Sequence, residues 1–240
     1  MEVRSLGTIL KAVILAGLLA GVTLAVFHSL LTEPVIDRAI AIEEARETHQ
    51  DEAPPLVTRR MQKGGLVAGW VLYGLFVSLI FGGVLYLVQS ALPTRRVRTR
   101  AVLLALAAFW LVGLLPFLKY PANPPGVGQP ETIEYRQALY LAFLLLSMLG
   151  GVATAVAARR GVPRFVAAAG YTVFVLALYL LMPPNPDPIE IPFELVLRFR
   201  ALSLAGLTLF WLVLGLASGL LAEHLQPAGD SRDLQPRPAS

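Results

Sequence analysis

The sequence predicts an all-α integral membrane protein: a six-helix transmembrane bundle with a surface amphipathic helix in the first outer loop. Three observations predict it. Hydrophobic residues make up 56% of the 240 positions and charged ones 15%, where soluble globular chains carry about a quarter charged. Mean hydropathy is +0.66. Six runs contain no Asp, Glu, Lys or Arg: residues 12–31, 64–90, 101–118, 137–158, 165–182 and 201–222. A hydrocarbon core of about 30 Å takes about 20 such residues as helix. The runs are continuous rather than alternating, which sets aside a β-barrel, and a helix satisfies its backbone amides within itself.

The first run follows Arg4 and Lys11, like the basic start of a signal peptide. It is too long for an ordinary h-region, and no small-x-small site precedes a mature domain, so it reads as a retained helix. The first outer loop then runs from about residue 32 to 63. Pro34 suits the first turn of a helix. Val35, Ile36, Ala39, Ile40 and Ala45 recur at helical spacing, and Glu43, Glu44, Glu47 and Asp51 dominate the rest, which describes an amphipathic helix at the membrane surface. Pro54 and Pro55 end it.

Two loops fix the orientation. Residues 90–100 carry Arg95, Arg96, Arg98 and Arg100 and no acid; the connection after the fourth run carries Arg159, Arg160 and Arg164 and no acid. Both are expected in the cytoplasm. With six spans this places both termini there too, in a multi-pass protein of the cell (inner) membrane. Twelve of the sixteen acids fall on the opposite side, in agreement. Arg59, Arg60 and Lys63, which precede the second run on the outer side, stand against it.

The stretches 119–126 and 182–188 of the second and third outer loops are proline-rich, and the three outer connections between runs, residues 32–63, 119–136 and 183–200, together hold twelve of the eighteen prolines. Proline fixes φ and removes a donor but keeps its carbonyl. Such loops are stiff and rich in acceptor oxygens, unlike Gly/Ser linkers. The tail, residues 226–240, is rich in Pro, Asp and Arg and is expected to be a disordered cytoplasmic extension of a single polytopic domain, residues 1–225.

Composition also excludes functions. Without cysteine there is no thiolate metal site or thiol nucleophile. The net charge of +4 is, in a membrane chain, the arginine that sets topology, so lipid is the expected partner and nucleic acid is not. P-loop, HExxH and GxSxG patterns are absent, and no enzyme is expected. No Asp, Glu, Lys or Arg lies inside a run, so a midplane coupling carboxylate is missing. Energy coupling is then absent, supplied by a partner, or carried by uncharged polar groups.

Metal chemistry must draw on His28, His49, His224, carboxylates and amide or backbone oxygens. His28 sits near the outer end of the first run, and imidazole suits divalent cobalt, nickel and zinc. Glu33 follows five residues on and reaches a shared site with His28 only if the chain bends near Pro34. Glu43, Glu44 and Glu47, with His49, form an acidic stretch able to attract cations from outside; the alternative is a solvated helix face. Lys119 repels metal and is expected to pair with Glu131 or Glu134, locking its loop. Asn123 and Asn185 each offer an amide oxygen, or belong to a rigid cap over the bundle made by residues 119–125 and 182–188. His224 reads as an end-cap of the last span. Gly17/Gly21, Gly65/Gly69 and Gly215/Gly219 are GxxxG pairs and predict close helix packing, within the chain or with a partner.

One stretch is distinctive: Pro116-Phe117-Leu118-Lys119-Tyr120-Pro121-Ala122-Asn123-Pro124-Pro125, followed by Val127-Gly128-Gln129-Pro130-Glu131-Thr132. It resembles the CbtA family of predicted cobalt transporter subunits. His28 with Glu33-Pro34-Val35-Ile36 and the Glu43/Glu44 pair fits the same resemblance, as do Pro183-Pro184-Asn185 and Leu197-Arg198-Phe199-Arg200. It covers residues from about 6 to 221. The resemblance implies a membrane subunit of a cobalt transporter linked to cobalamin supply, with Co2+ as the transported ion and no tightly bound cofactor. It also implies a small one-span, histidine-bearing partner, CbtB. A non-transport scaffold that assembles or anchors a metal-handling partner is the alternative reading.

Overall fold

The computed structural model describes residues 5–45, 57–92, 94 and 96–225. Helix α1 (Leu6–Phe27) passes through a π-helical turn, His28–Thr32, into α2 (Glu33–Glu44). Helix α3 spans Arg59–Val88. Helix α4 (Val97–Ala108) passes through a second π-helical turn, Phe109–Leu114, into α5 (Leu115–Lys119). A 3-10 turn, Pro130–Thr132, leads into α6 (Ile133–Arg159), followed by α7 (Arg164–Leu181) and α8 (Phe193–His224). Six helical stretches are long and apolar enough to cross a membrane, one for each charge-free run, and no strand occurs among the described residues.

The bundle has two unlike ends. At one, α2 meets the two proline-rich loops; at the other, the start of α1, the start of α4 and the end of α8 meet through Ala12, Val97 and Ala222. We call them the proline end and the arginine end.

Four helices make the core. Ile9, Val13, Ala16, Ala20 and Leu24 of α1 pack against Phe81 and Leu85 of α3, Ala101 and Ala105 of α4, and Phe210, Trp211 and Leu214 of α8. Lipid supplies no hydrophobic drive between helices, so close backbone approach must do the work, and glycine permits it. Gly17 meets Ser78 and Gly74; Gly21 meets the Trp70 carbonyl; Gly215 meets Ala105; Gly219 meets the Arg98 backbone. Two of the three GxxxG pairs are thus used within the chain. The third, Gly65/Gly69 on α3, faces open space.

Helices α6 and α7 form a hairpin at the side of this core. No residue of α7 is buried. The hairpin is held at the second π-turn, where Leu115 N–H bonds Trp110 O rather than Leu111 O. The released Leu111 carbonyl accepts the Ser147 hydroxyl of α6 at 3.2 Å.

Both π-turns end just before a proline, Pro34 or Pro116. A proline inside an α-helix lacks its N–H and clashes with the carbonyl four residues back; the wider turn relieves the clash without breaking the helix. The chain thus stays helical across Pro34, where a shared His28–Glu33 site would have needed it to bend. Helix α2 continues α1, and its apolar face is turned onto protein: Val35, Ala39 and Ile42 cover Val127, Ile191, Leu195 and Val196. Ala45, expected on that face, is exposed.

Candidate metal-entry site at the proline end

His28 opens the first π-turn and is only 7% exposed. Its ring stacks on Trp70 of α3, centroids 4.6 Å apart and planes 14° apart, with the Phe27 edge at 5.2 Å. Nδ1 is hydrogen-bonded to Thr32 Oγ1 at 2.8 Å. The Nε2 edge faces Gly206 of α8, where a Cβ would stand 2.6 Å from Nε2; glycine there makes room for the imidazole. With Nδ1 engaged, Nε2 is the nitrogen left to coordinate a cation.

Glu33 is 5% exposed and its carboxylate is already paired. Glu33 and Asp37 lie four residues apart on α2, as do Arg59 and Lys63 on α3, so each pair shares a helix face. Arg59 pairs with Glu33 and, at 2.9 Å, with Asp37; Lys63 reaches Asp37 at 2.7 Å and Glu33 at 3.7 Å. The four charges cancel. Two of the three basic residues that stood against the topology, Arg59 and Lys63, are thus counter-ions to acids on the same side; Arg60 is exposed. A cation reaches Glu33 only by displacing Arg59. Because α2 runs on from α1 instead of folding back, His28 bonds Thr32 and Glu33 bonds Arg59. Among the described residues no three of His, Asp and Glu gather as a metal-holding group.

Glu43 lies further along α2, beside the loop at Gly126, where an added Cβ would sit 3.6 Å from its Cβ. Glu43 and Glu190 line one cavity of about 180 Å3, with Gly126, Gly128, Gln129 and Pro188. The loop reaches this position through left-handed backbone at Gly126 (φ 75°) and Gly128 (φ 105°), which glycine adopts without strain. Neither Glu43 nor Glu190 has an ion-pair partner among the described residues. Glu44 is exposed. Glu47 and His49 lie outside the described residues. Sequence reading passed over Glu190 as a site residue; its one signal was an acid between Pro188 and Pro192, just past the stretch already marked as stiff.

The proline-rich loops are laced together, by bonds other than those expected. Lys119 pairs with neither Glu131 nor Glu134; its Nζ donates to Tyr179 O at 2.7 Å. The reason is Pro183, which has no N–H to offer the carbonyl four residues back, so Lys119 caps the end of α7 instead. The Tyr120 hydroxyl donates to Pro183 O at 2.7 Å, and burial pushes its phenol pKa up, keeping it a donor. Asn123 Oδ1 accepts from Arg200 at 2.8 Å and Asn185 Oδ1 from the Asp187 N–H at 3.1 Å, so both amide oxygens are in use. Asp187, its side chain 2% exposed, pairs with Arg136 at 2.8 Å and accepts from Thr132. Val127 and Ile189 form an antiparallel bridge across the loops. Beneath them lies a cavity of about 470 Å3, lined in part by Tyr120, Asn123, Gln137, Tyr140 and Asn185.

Six apolar helices on a close-packed core, with a charge-paired and acid-bearing cap at one end, define a multi-pass membrane protein. The chain belongs to the CbtA family: the family model described as probable cobalt transporter subunit (CbtA) matches residues 6–223. No curated protein and no solved structure matches it.

Proposed function

We propose that the chain is the membrane-embedded subunit of a divalent-cobalt transporter linked to cobalamin supply, working with a one-span histidine-bearing partner of the CbtB kind. Family membership carries this reading. It supports transport over an enzymatic reaction. The proline end faces outward, and the arginine end, both termini and the tail of residues 226–240 lie in the cytoplasm of a cell (inner) membrane. Residues 1–225 act as one polytopic unit.

The proline end supports cation entry in three steps. The carboxylates of Glu43 and Glu190, which line one cavity and have no ion-pair partner among the described residues, raise the local cation concentration with Glu44 and Glu47 on the same stretch of chain. Asp37 and Glu33, about 9 Å and about 15 Å back along the helix from Glu43, exchange Arg59 and Lys63 for the arriving metal. His28 Nε2 receives it below. Imidazole with carboxylate oxygen suits cobalt, nickel and zinc alike.

Radioactive cobalt uptake in cells with and without this chain, each with and without the one-span partner, tests the function. Uptake that does not depend on the chain removes it. Reporter fusions at Arg96 and Arg160 should read cytoplasmic and one at Asn123 external; an external signal at Arg96 reverses the orientation. The scaffold alternative is favoured by one observation, that the described residues assemble no three-ligand metal group. On that reading cobalt passes through the partner, and uptake survives the loss of His28.

A further inference from the structure

Helix α4 starts with an unusual concentration of positive charge. Arg96 occupies the N-cap position, no side chain caps the helix, and its first turn contains no acid. The first-turn N–H groups have no intrahelical partner, and the helix dipole adds partial positive charge. Arg96, Arg98 and Thr99, all exposed, line a cavity of about 630 Å3 whose remaining walls are Val102, Leu216 and Glu223. Arg100 turns away into the protein, its Nε donating to Thr94 O at 2.7 Å. Glu223 shares the cavity with Arg96 and Arg98, yet neither arginine has an ion pair with it or with any other described acid.

Polarity is ordered along this cleft. Helices α4 and α8 cross antiparallel, Gly219 against Arg98 and Gly215 against Ala105. Glu223 therefore lies level with the basic start of α4, and Leu216, 40% exposed, level with Val102 about one turn deeper. A free phosphate would meet the basic end and leave the apolar wall unused. A choline headgroup would set a quaternary cation beside two guanidiniums.

We propose that this cleft at the arginine end binds an anionic phospholipid whose headgroup carries hydroxyls. The phosphodiester is held by Arg96 and Arg98 in charge-assisted hydrogen bonds, joined by the Thr99 hydroxyl. A headgroup hydroxyl donates to the Glu223 carboxylate, and an acyl chain runs along Val102 and Leu216. A basic pocket between transmembrane helices is suited to such headgroups.

The test uses the full chain, purified in detergent, stripped of lipid and titrated separately with phosphatidylglycerol, phosphatidylcholine, phosphatidic acid and inorganic phosphate. Bound adducts are read by native mass spectrometry. Phosphatidylglycerol should be retained at least about tenfold better than phosphatidylcholine. The double variant Arg96→Gln/Arg98→Gln should lose that preference. Leu216→Trp, which fills the apolar wall and leaves every charge in place, should lower retention by itself and keeps the test decisive if the charge variant folds poorly. Glu223→Gln should narrow the preference for phosphatidylglycerol over phosphatidic acid. Equal retention of phosphatidylglycerol and phosphatidylcholine overturns the proposal, as does full retention by the double variant. Inorganic phosphate binding as tightly as the lipid, with no effect of Leu216→Trp, would make it a free-anion site instead.

Discussion

Gly21→Leu is expected to destabilise the folded chain by about 3 kcal/mol or more, the upper range for overpacking a filled core, and to lower the amount of protein recovered from the membrane. A Cβ at this position would stand 2.7 Å from Trp70 O and 2.9 Å from Val71 Cα. Backbone, unlike the end of a side chain, cannot turn aside. The α1–α3 crossing would have to open, and with it the stack of Trp70 on His28. Gly69→Leu is the matched control. It changes the same residue type in the same kind of motif, but nothing lies within 4 Å of its Cβ position, and stability should stay within about 0.5 kcal/mol of the parent. Thermal melting of the purified protein in detergent measures both. Equal losses would mean that the crossing is not what holds the bundle.

His28→Ala is expected to cut cobalt uptake at limiting metal by at least about tenfold, the lower end for disturbing a metal's ligand environment, with protein level held constant. The confounding effect is packing, because the ring fills the space between Trp70 and Gly206. His28→Phe separates the two roles. It keeps an aromatic face on Trp70 and removes the nitrogens, so it should restore stability and not transport. If His28→Phe transports normally, the residue is a spacer and the entry site must be sought elsewhere at the proline end. Converting Glu43, Glu44 and Glu47 together to glutamine should act more gently. Steering without ligation raises the cobalt concentration needed for half-maximal uptake and leaves the maximum rate unchanged. That difference should shrink as ionic strength rises and the screening length falls below about 8–10 Å.

What was legible in the sequence was whatever depends on neighbours along the chain. The six charge-free runs became six spans because insertion depends on summed local hydropathy. The spacing of Val35 and Ala39 marked the buried face of α2 because a helix repeats within one turn. The two proline-rich loops were legible as loops because clustered prolines interrupt a helix. What was hidden depends on how two distant helices are set against each other. Glu33 and Arg59 are 26 residues apart, and their pairing needs the α1–α3 crossing, which in turn needs Gly17 and Gly21 to meet α3 at one register. Without it, Glu33 read as an open ligand and Arg59 as a topological anomaly. Lys119 was given an acid from its own stretch of chain, while its true partner is a carbonyl that a proline 64 residues later leaves without a donor. Glu190 joined Glu43 only through the fold of two loops.

The wide turn at His28–Thr32 has a consequence for what this stretch tolerates. Each residue of an α-helix advances the chain by about 100°, and the extra residue in the wide turn sets the phase of everything after it. Deleting one residue there would leave the segment helical and apolar, and hydropathy would not register the change. Yet it would swing Glu33 and Asp37 by about 100°, away from Arg59 and Lys63, and lift Val35 and Ala39 off the loops they cover. Two cations and two acids would then face lipid or water unpaired. At this joint the quantity under constraint is chain length counted to the single residue, more than the identity of any side chain within it.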